Sequence, residues 1–132
     1  DARPALPPPP TADQRALRVL VVEDDPAALS ATVEMIQLLG HWATGVTSAE
    51  GARDRFLEGA FDVVMTDVGL PALSGFDLVE MLRERHHVHV IFASGRAEPA
   101  KPIEGSVWLQ KPFSIEDLTA ALEAARVGLP AR

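Results

Sequence analysis

Glu23, Asp24 and Asp25 stand in a row directly after an apolar run, Arg18-Val19-Leu20-Val21-Val22. Carboxylates crowded at one point repel one another, and such a cluster is costly unless a cation occupies it. Three more polar residues lie at or just beyond apolar runs: Asp67 after residues 61–66, Ser94 after 88–93 and Lys111 after 107–109. Carboxylate oxygens are the hard ligands that Mg²⁺ prefers, and the ion keeps several waters. Asp24 and Asp67 would bind the ion directly, Glu23 through water, and the backbone carbonyl of Gly69 would complete the protein ligands. An ionised Asp67 beside that charge can act as a nucleophile. Phosphoryl transfer needs little beyond positioning and charge neutralisation. Lys111 offers a point charge for the moving group and Ser94 a hydroxyl donor.

These residues converge only if the chain folds so as to bring the run ends together. Short apolar runs bounded by turn signals read as buried strands, here Arg18–Val22, Trp42–Val46, 61–66, 88–93 and 107–109. Helical patterns lie between them. Asp25-Pro26 is an N-cap followed by proline at the first helical position, with Leu29, Val33 and Ile36 on one face and Gly40 as the stop. Thr47-Ser48-Ala49-Glu50 reads as a capping box opening a helix to about residue 57. Ser74-Gly75-Phe76-Asp77 opens another, with Leu78 and Leu82 inward, and Ser114 caps a last one carrying Leu118, Ala121, Leu122 and Ala125. Strands alternating with helices predict an α/β fold, a parallel sheet covered on both faces. Ligands then bind beyond the carboxyl ends of the strands, where every candidate residue falls.

The 132 residues suit one domain. With 12 basic and 19 acidic side chains, a net charge of −7 and no Lys/Arg stripe, direct nucleic-acid binding is not expected. The chain has no cysteine, which excludes disulfides and thiolate chemistry. No apolar run is long enough to span a bilayer, so no membrane contact is expected. Residues 1–16 hold five prolines and read as a linker or arm, 17–128 as the domain, and 129–132 as a tail. The chain opens on Asp1 rather than Met, which suggests an excised or processed piece. His86, His87 and His89 match no common zinc spacing and read as surface or strand-edge residues.

Taken in order, Val-Val-Glu23-Asp24-Asp25-Pro26, Met65-Thr66-Asp67-Val68-Gly69-Leu70-Pro71, Ser74-Gly75, Ala93-Ser94-Gly95 and Gln110-Lys111-Pro112-Phe113 resemble the receiver domains of bacterial two-component response regulators. The resemblance covers about residues 18–127. It implies a doubly wound, flavodoxin-like, five-stranded parallel sheet with strand order 2-1-3-4-5. It makes Asp67 the phosphoacceptor for a phosphohistidine on a histidine kinase or histidine phosphotransfer protein. Glu23 and Asp24 match the acidic pair that holds Mg²⁺, with Mn²⁺ as an alternative. Ser94 matches the switch hydroxyl, Lys111 the phosphoryl-binding lysine, and Pro112 a cis-proline. Gly69 and Arg96 fall where receiver side chains modulate phosphoryl lifetime. Trp108, three residues before the lysine, takes the place of the aromatic that follows the hydroxyl inward.

One departure stands out. Lys111 follows Ser94 by only 17 positions, and Pro99, Pro102 and Gly105 interrupt the span. The family's fourth helix is therefore expected to be short or irregular, and the standard receiver dimer through that helix is not expected. Shortened segments of this wording resemble receivers appended to hybrid sensor histidine kinases, a cytoplasmic part of a parent that can itself be membrane-anchored. A stand-alone response regulator is the alternative parent. The domain would accept and lose a phosphoryl group without being a turnover enzyme, whereas a hybrid parent would be a protein histidine kinase. A haloacid-dehalogenase-type phosphatase would need an acid where Gly69 stands. A dinucleotide-binding module would need glycines where the acids stand. A pseudo-receiver that only binds partners would have lost an acid or the lysine.

Overall fold

The computed structural model describes residues 16–58 and 61–127. The proline-rich arm, apart from Ala16, and the tail lie outside the described residues. Among the described residues, nine elements follow one another: β1 (Arg18–Val22), α1 (Pro26–Leu38), β2 (Trp42–Val46), α2 (Ala49–Glu58), β3 (Val63–Asp67), α3 (Gly75–Arg83), β4 (His89–Ser94), β5 (Ser106–Gln110) and α4 (Ile115–Val127). All strand pairs are parallel, in the order β2-β1-β3-β4-β5. From β1, inside the sheet, the chain winds to one edge at β2 and returns past β1 to build the other half. The loops after β1 and β3 therefore diverge at one point, the switch point where such sheets bind ligands.

Alternation along the strands builds two cores. Val19 and Val21 of β1, Met65 of β3 and Ile91 of β4 face α1 and α4, where Ile36, Leu118 and Leu122 meet them. Leu20 and Val22, Val64 and Phe92 face α2 and α3, where Phe56, Leu78 and Leu82 lie. Both faces of the central strands are thus dry, and the site residues project only from the strand ends.

Local chemistry fixes the helix starts. The Asp25 side chain accepts from the Ala27 N–H ahead of Pro26. Ser74 and Asp77 form a reciprocal capping box at α3, and Ser114 with Asp117 makes the same pair of bonds at α4. The capping box expected at Thr47 is not what forms. Ser48 caps α2 instead, its Oγ accepting from the Gly51 N–H at 2.9 Å. Gly51 has no side chain to reciprocate.

Between β4 and β5 no residue is helical. Pro99 and Pro102 lack the donors that a helix needs. The segment is held at its far end by Arg83, whose guanidinium donates to the carbonyls of Val88 (3.2 Å), Glu104 (2.6 Å) and Gly105 (2.8 Å). Gly105 has φ +71°, and a Cβ there would stand 2.9 Å from Arg83 Nη2. Among the described residues, no helix is long and apolar enough to cross a membrane.

Candidate functional site

The carboxyl ends of β1, β3 and β4 bring the candidate residues together. Glu23 follows β1 directly, and its N–H donates to the Val46 carbonyl at the end of β2 (3.1 Å). Asp67 is the last residue of β3 and Ser94 the last of β4, so both are still held by the sheet rather than lying beyond it as expected. The Lys111 N–H donates to the Ser94 carbonyl at 2.7 Å, which ties the lysine to the same edge. The Lys111–Pro112 peptide is cis.

One oxygen from each of Glu23, Asp24 and Asp67 lies within 4.8 Å of the others. Oxygens bound to one Mg²⁺ lie about 2.9 Å apart when adjacent and about 4.2 Å apart when opposite. The triad fits that ion with a small closure or an intervening water. Lys111 Nζ donates to Glu23 Oε1 at 2.9 Å and to Asp67 Oδ1 at 3.4 Å. It serves two of the carboxylates, and among the described residues no basic side chain pairs with the exposed Asp24.

The electrostatics follow from this geometry. Burial pushes the Glu23 carboxyl up, but the bonds from Lys111 and the Asp25 N–H outweigh it and hold Glu23 below its ordinary value. Asp24 is raised, first by its hydrogen bond with Glu23, then by desolvation and the like charges of Glu23 and Asp67. Burial alone would lower Lys111, yet its bond to Glu23 and the charges of Asp67 and Glu23 raise it. A divalent cation would relieve the strain that Asp24 records.

The backbone of Asp67 is held from two sides. Thr66 Oγ1 donates to the Asp67 carbonyl at 2.9 Å. Gly75, at the start of α3, packs so closely on that carbonyl that a Cβ would stand 2.4 Å from the oxygen. Neither contact was foreseen from the sequence, where Gly75 marked only a helix start. In the loop between them Ala72 has φ +65°, and the Leu73 N–H donates to the Pro71 carbonyl at 2.7 Å. A non-glycine residue held at positive φ beside a site is stored strain. Gly69 is exposed, and a Cβ on it meets nothing within 4 Å.

Ser94 Oγ accepts from the Arg96 N–H at 3.1 Å, and the Arg96 residue is exposed. Trp108 is half-buried, with ring centroids 6.1 Å from Phe92 and 6.4 Å from Phe76. The three histidines do not gather. His86 meets the edge of Phe56, His87 is exposed, and His89 lies at the start of β4. Among the described residues, Glu23, Asp24 and Asp67 are the one grouping suited to a metal.

The profile of the response regulator receiver domain matches residues 19–123. The chain is 31% identical over 111 residues to sensory transduction protein RegX3 of Mycobacterium bovis, covering 80% of this chain and 49% of that protein. It is 35% identical over 109 residues to response regulator protein FleR of Pseudomonas aeruginosa, covering 78% of this chain and 23% of that protein. The chain thus spans about half or less of these curated relatives. Among solved structures, a receiver domain from Methylobacillus flagellatus superposes with TM-score 0.76 at 28% identity, covering 83% of this chain and 98% of that one. The receiver domain from hybrid histidine kinase CckA superposes with TM-score 0.71 at 26% identity, covering 82% and 97%. With its fold, its sheet order and its sequence in agreement, the chain belongs to the response regulator receiver domain family.

Proposed function

We propose that Asp67 accepts a phosphoryl group from a phosphohistidine on a histidine kinase or histidine phosphotransfer protein. The observation that carries this reading is the convergence of Glu23, Asp24, Asp67 and Lys111 Nζ at one sheet edge. One Asp67 carboxylate oxygen attacks phosphorus. The new P–O bond forms as the P–N bond to the imidazole breaks, and the leaving ring nitrogen takes up a proton from solvent. Lys111 holds its charge beside the attacked group, and the Ser94 hydroxyl donates to a phosphoryl oxygen. Thr66 and Gly75 fix the Asp67 main chain, so the carboxylate is aimed before the donor arrives. Glu23, Asp24, Asp67 and the Gly69 carbonyl would hold Mg²⁺, or Mn²⁺, which supplies positive charge to offset the carboxylates and phosphoryl oxygens.

The parent we favour is a hybrid sensor histidine kinase, with this domain at its cytoplasmic C-terminal end. The helix-free β4–β5 segment and the similarity to the CckA receiver support that choice. We do not expect the standard receiver dimer, because the same segment carries no helix. Matches to longer response regulators favour the other parent. A kinase core encoded upstream would decide between them.

The test is to incubate the protein with Mg²⁺ and acetyl phosphate and to measure intact mass. The expected result is a labile gain of one phosphoryl group, absent in Asp67→Asn and without metal. A phosphorylated histidine phosphotransfer protein as donor should give the same product faster. No gain from either donor would overturn the proposal.

A further inference from the structure

We infer that β2 is an interface strand, whose open edge pairs antiparallel with β2 of a second copy of this chain about a two-fold axis at Thr44. Among the described residues, β2 has a neighbouring strand on one side only. Its bonds to β1 set which backbone groups are used. The Trp42 N–H donates to the Leu17 carbonyl at 2.9 Å, and the Val46 carbonyl accepts from the Glu23 N–H at 3.1 Å. Successive residues of a strand turn their backbone groups to opposite sides. Trp42, Thr44 and Val46 therefore face β1, and Ala43 and Gly45 present their N–H and C=O groups to the outside.

Unpaired groups of this kind are a template for another strand, and proteins block them with charge, proline or a bulge. β2 uses none of these. Trp42-Ala43-Thr44-Gly45-Val46 is uncharged in a chain of net charge −7. Its register with β1 runs without interruption. Trp42, at its start, is 57% exposed.

The strand is also complementary to itself. With Thr44 opposite Thr44 of the second copy, Ala43 stands opposite Gly45, and each such pair exchanges N–H···O bonds in both directions. Trp42 then lies opposite Val46 at the closer, non-hydrogen-bonded position, on the face where Val46 packs against Ala49, Ala52 and Phe56. Aromatic–β-branched and Thr–Thr pairs are stabilising cross-strand neighbours. Pairing thus covers the exposed indole and sets no like charges face to face. The axis reverses the strand direction, so the two Asp67 sites lie at opposite ends of the joined sheet and stay open to a phosphodonor. A five-residue strand makes a contact smaller than the standard interface of about 1,600 Å², so the dimer is weak. Because each copy carries −7, added salt strengthens it.

Sedimentation of the full chain from about 10 µM to about 1 mM should show a shift from monomer to dimer, larger at higher salt. Thr44→Lys sets two ammonium groups opposite each other at the axis and should weaken dimerisation at least about ten-fold. An equimolar mixture of Thr44→Lys and Thr44→Glu should restore it. A wild type that stays monomeric throughout, a Thr44→Lys chain that dimerises like wild type, or a mixture that stays monomeric overturns the inference. A second measurement needs no variant. Across the same concentrations, amide hydrogen exchange at Ala43 and Gly45 should slow at least about two-fold, while that of Trp42, already bonded to Leu17, stays unchanged. Constant exchange at Ala43 and Gly45 in protein that dimerises would place the contact on another face and overturn the inference.

Discussion

Gly75→Ala should damage the site without touching a reacting group. The added Cβ would stand 2.4 Å from the Asp67 carbonyl oxygen and 3.2 Å from both the Asp67 carbonyl carbon and Thr66 Cγ2. Real Cβ contacts do not fall below 3.0 Å, so something must move by at least about 0.6 Å. The obstacle is backbone, not the end of a flexible side chain. The Asp67 carbonyl is braced by Thr66 Oγ1, and Gly75 itself donates its N–H to the Val68 carbonyl at 3.0 Å. The clash therefore tilts the Asp67 peptide or lifts the start of α3. Overpacking of this kind costs about 1–3 kcal/mol of stability. A reacting group displaced by ~1 Å loses ~100-fold in rate, so roughly half that displacement should cost about ten-fold. The assay pairs thermal melting with the rate of phosphorylation by acetyl phosphate, read well below the melting temperature. Gly95→Ala, where a Cβ meets nothing, is the stability control and should melt like wild type. If Gly75→Ala melts and phosphorylates like wild type, the close approach does not position Asp67 and the reasoning is refuted.

Three further outcomes are expected. His41 Nδ1 accepts from the Leu17 N–H at 2.9 Å, and burial, aided by the charge of Arg126, holds the ring below its ordinary value against the opposing pull of Glu123. The unfolded chain then takes up this proton at higher pH than the folded one, so the stabilisation is full above about pH 6.5 and is lost as pH falls through the folded value. The melting temperature of wild type should drop from about pH 7 to about pH 5 more steeply than that of His41→Asn, and equal slopes would contradict this. Arg83→Met strands the carbonyls of Val88, Glu104 and Gly105 and should cost about 2–3 kcal/mol in denaturant unfolding, with Arg83→Lys recovering less than half because an ammonium lacks the fork. Asp24→Asn removes a carboxylate that is already raised by its neighbours, so without Mg²⁺ it should melt above wild type, and added Mg²⁺ should reverse the order.

Much of this was legible in the sequence because it is local. Asp25-Pro26 caps α1 as its chemistry dictates, and Ser114 caps α4. Residues 42–46 form a strand of the expected length, and two prolines keep the β4–β5 segment from being a helix. Errors arose where neighbours in space decide. Phe61 and Asp62 read as strand, yet the Asp62 side chain turns to take both the backbone and the guanidinium of Arg18, so β3 begins at Val63. Thr47 and Ser48 are both plausible caps, and the position of the Gly51 N–H selects Ser48. At the site, the types and order of Glu23, Asp24, Asp67, Ser94 and Lys111 could be read from strand ends alone. The packing of Gly75 on Asp67 and the reach of Trp108 to Arg96 could not. Both depend on register between segments whose relative heights no local pattern encodes.

The central claim is that Asp67 becomes an acyl phosphate, and borohydride trapping tests it most directly. Reduction cleaves an aspartyl phosphate to homoserine, which a peptide map can place in the sequence. After treatment with acetyl phosphate and Mg²⁺, homoserine should be found at position 67 and nowhere else. Homoserine at another aspartate, or none while the protein carries phosphate, would contradict the account.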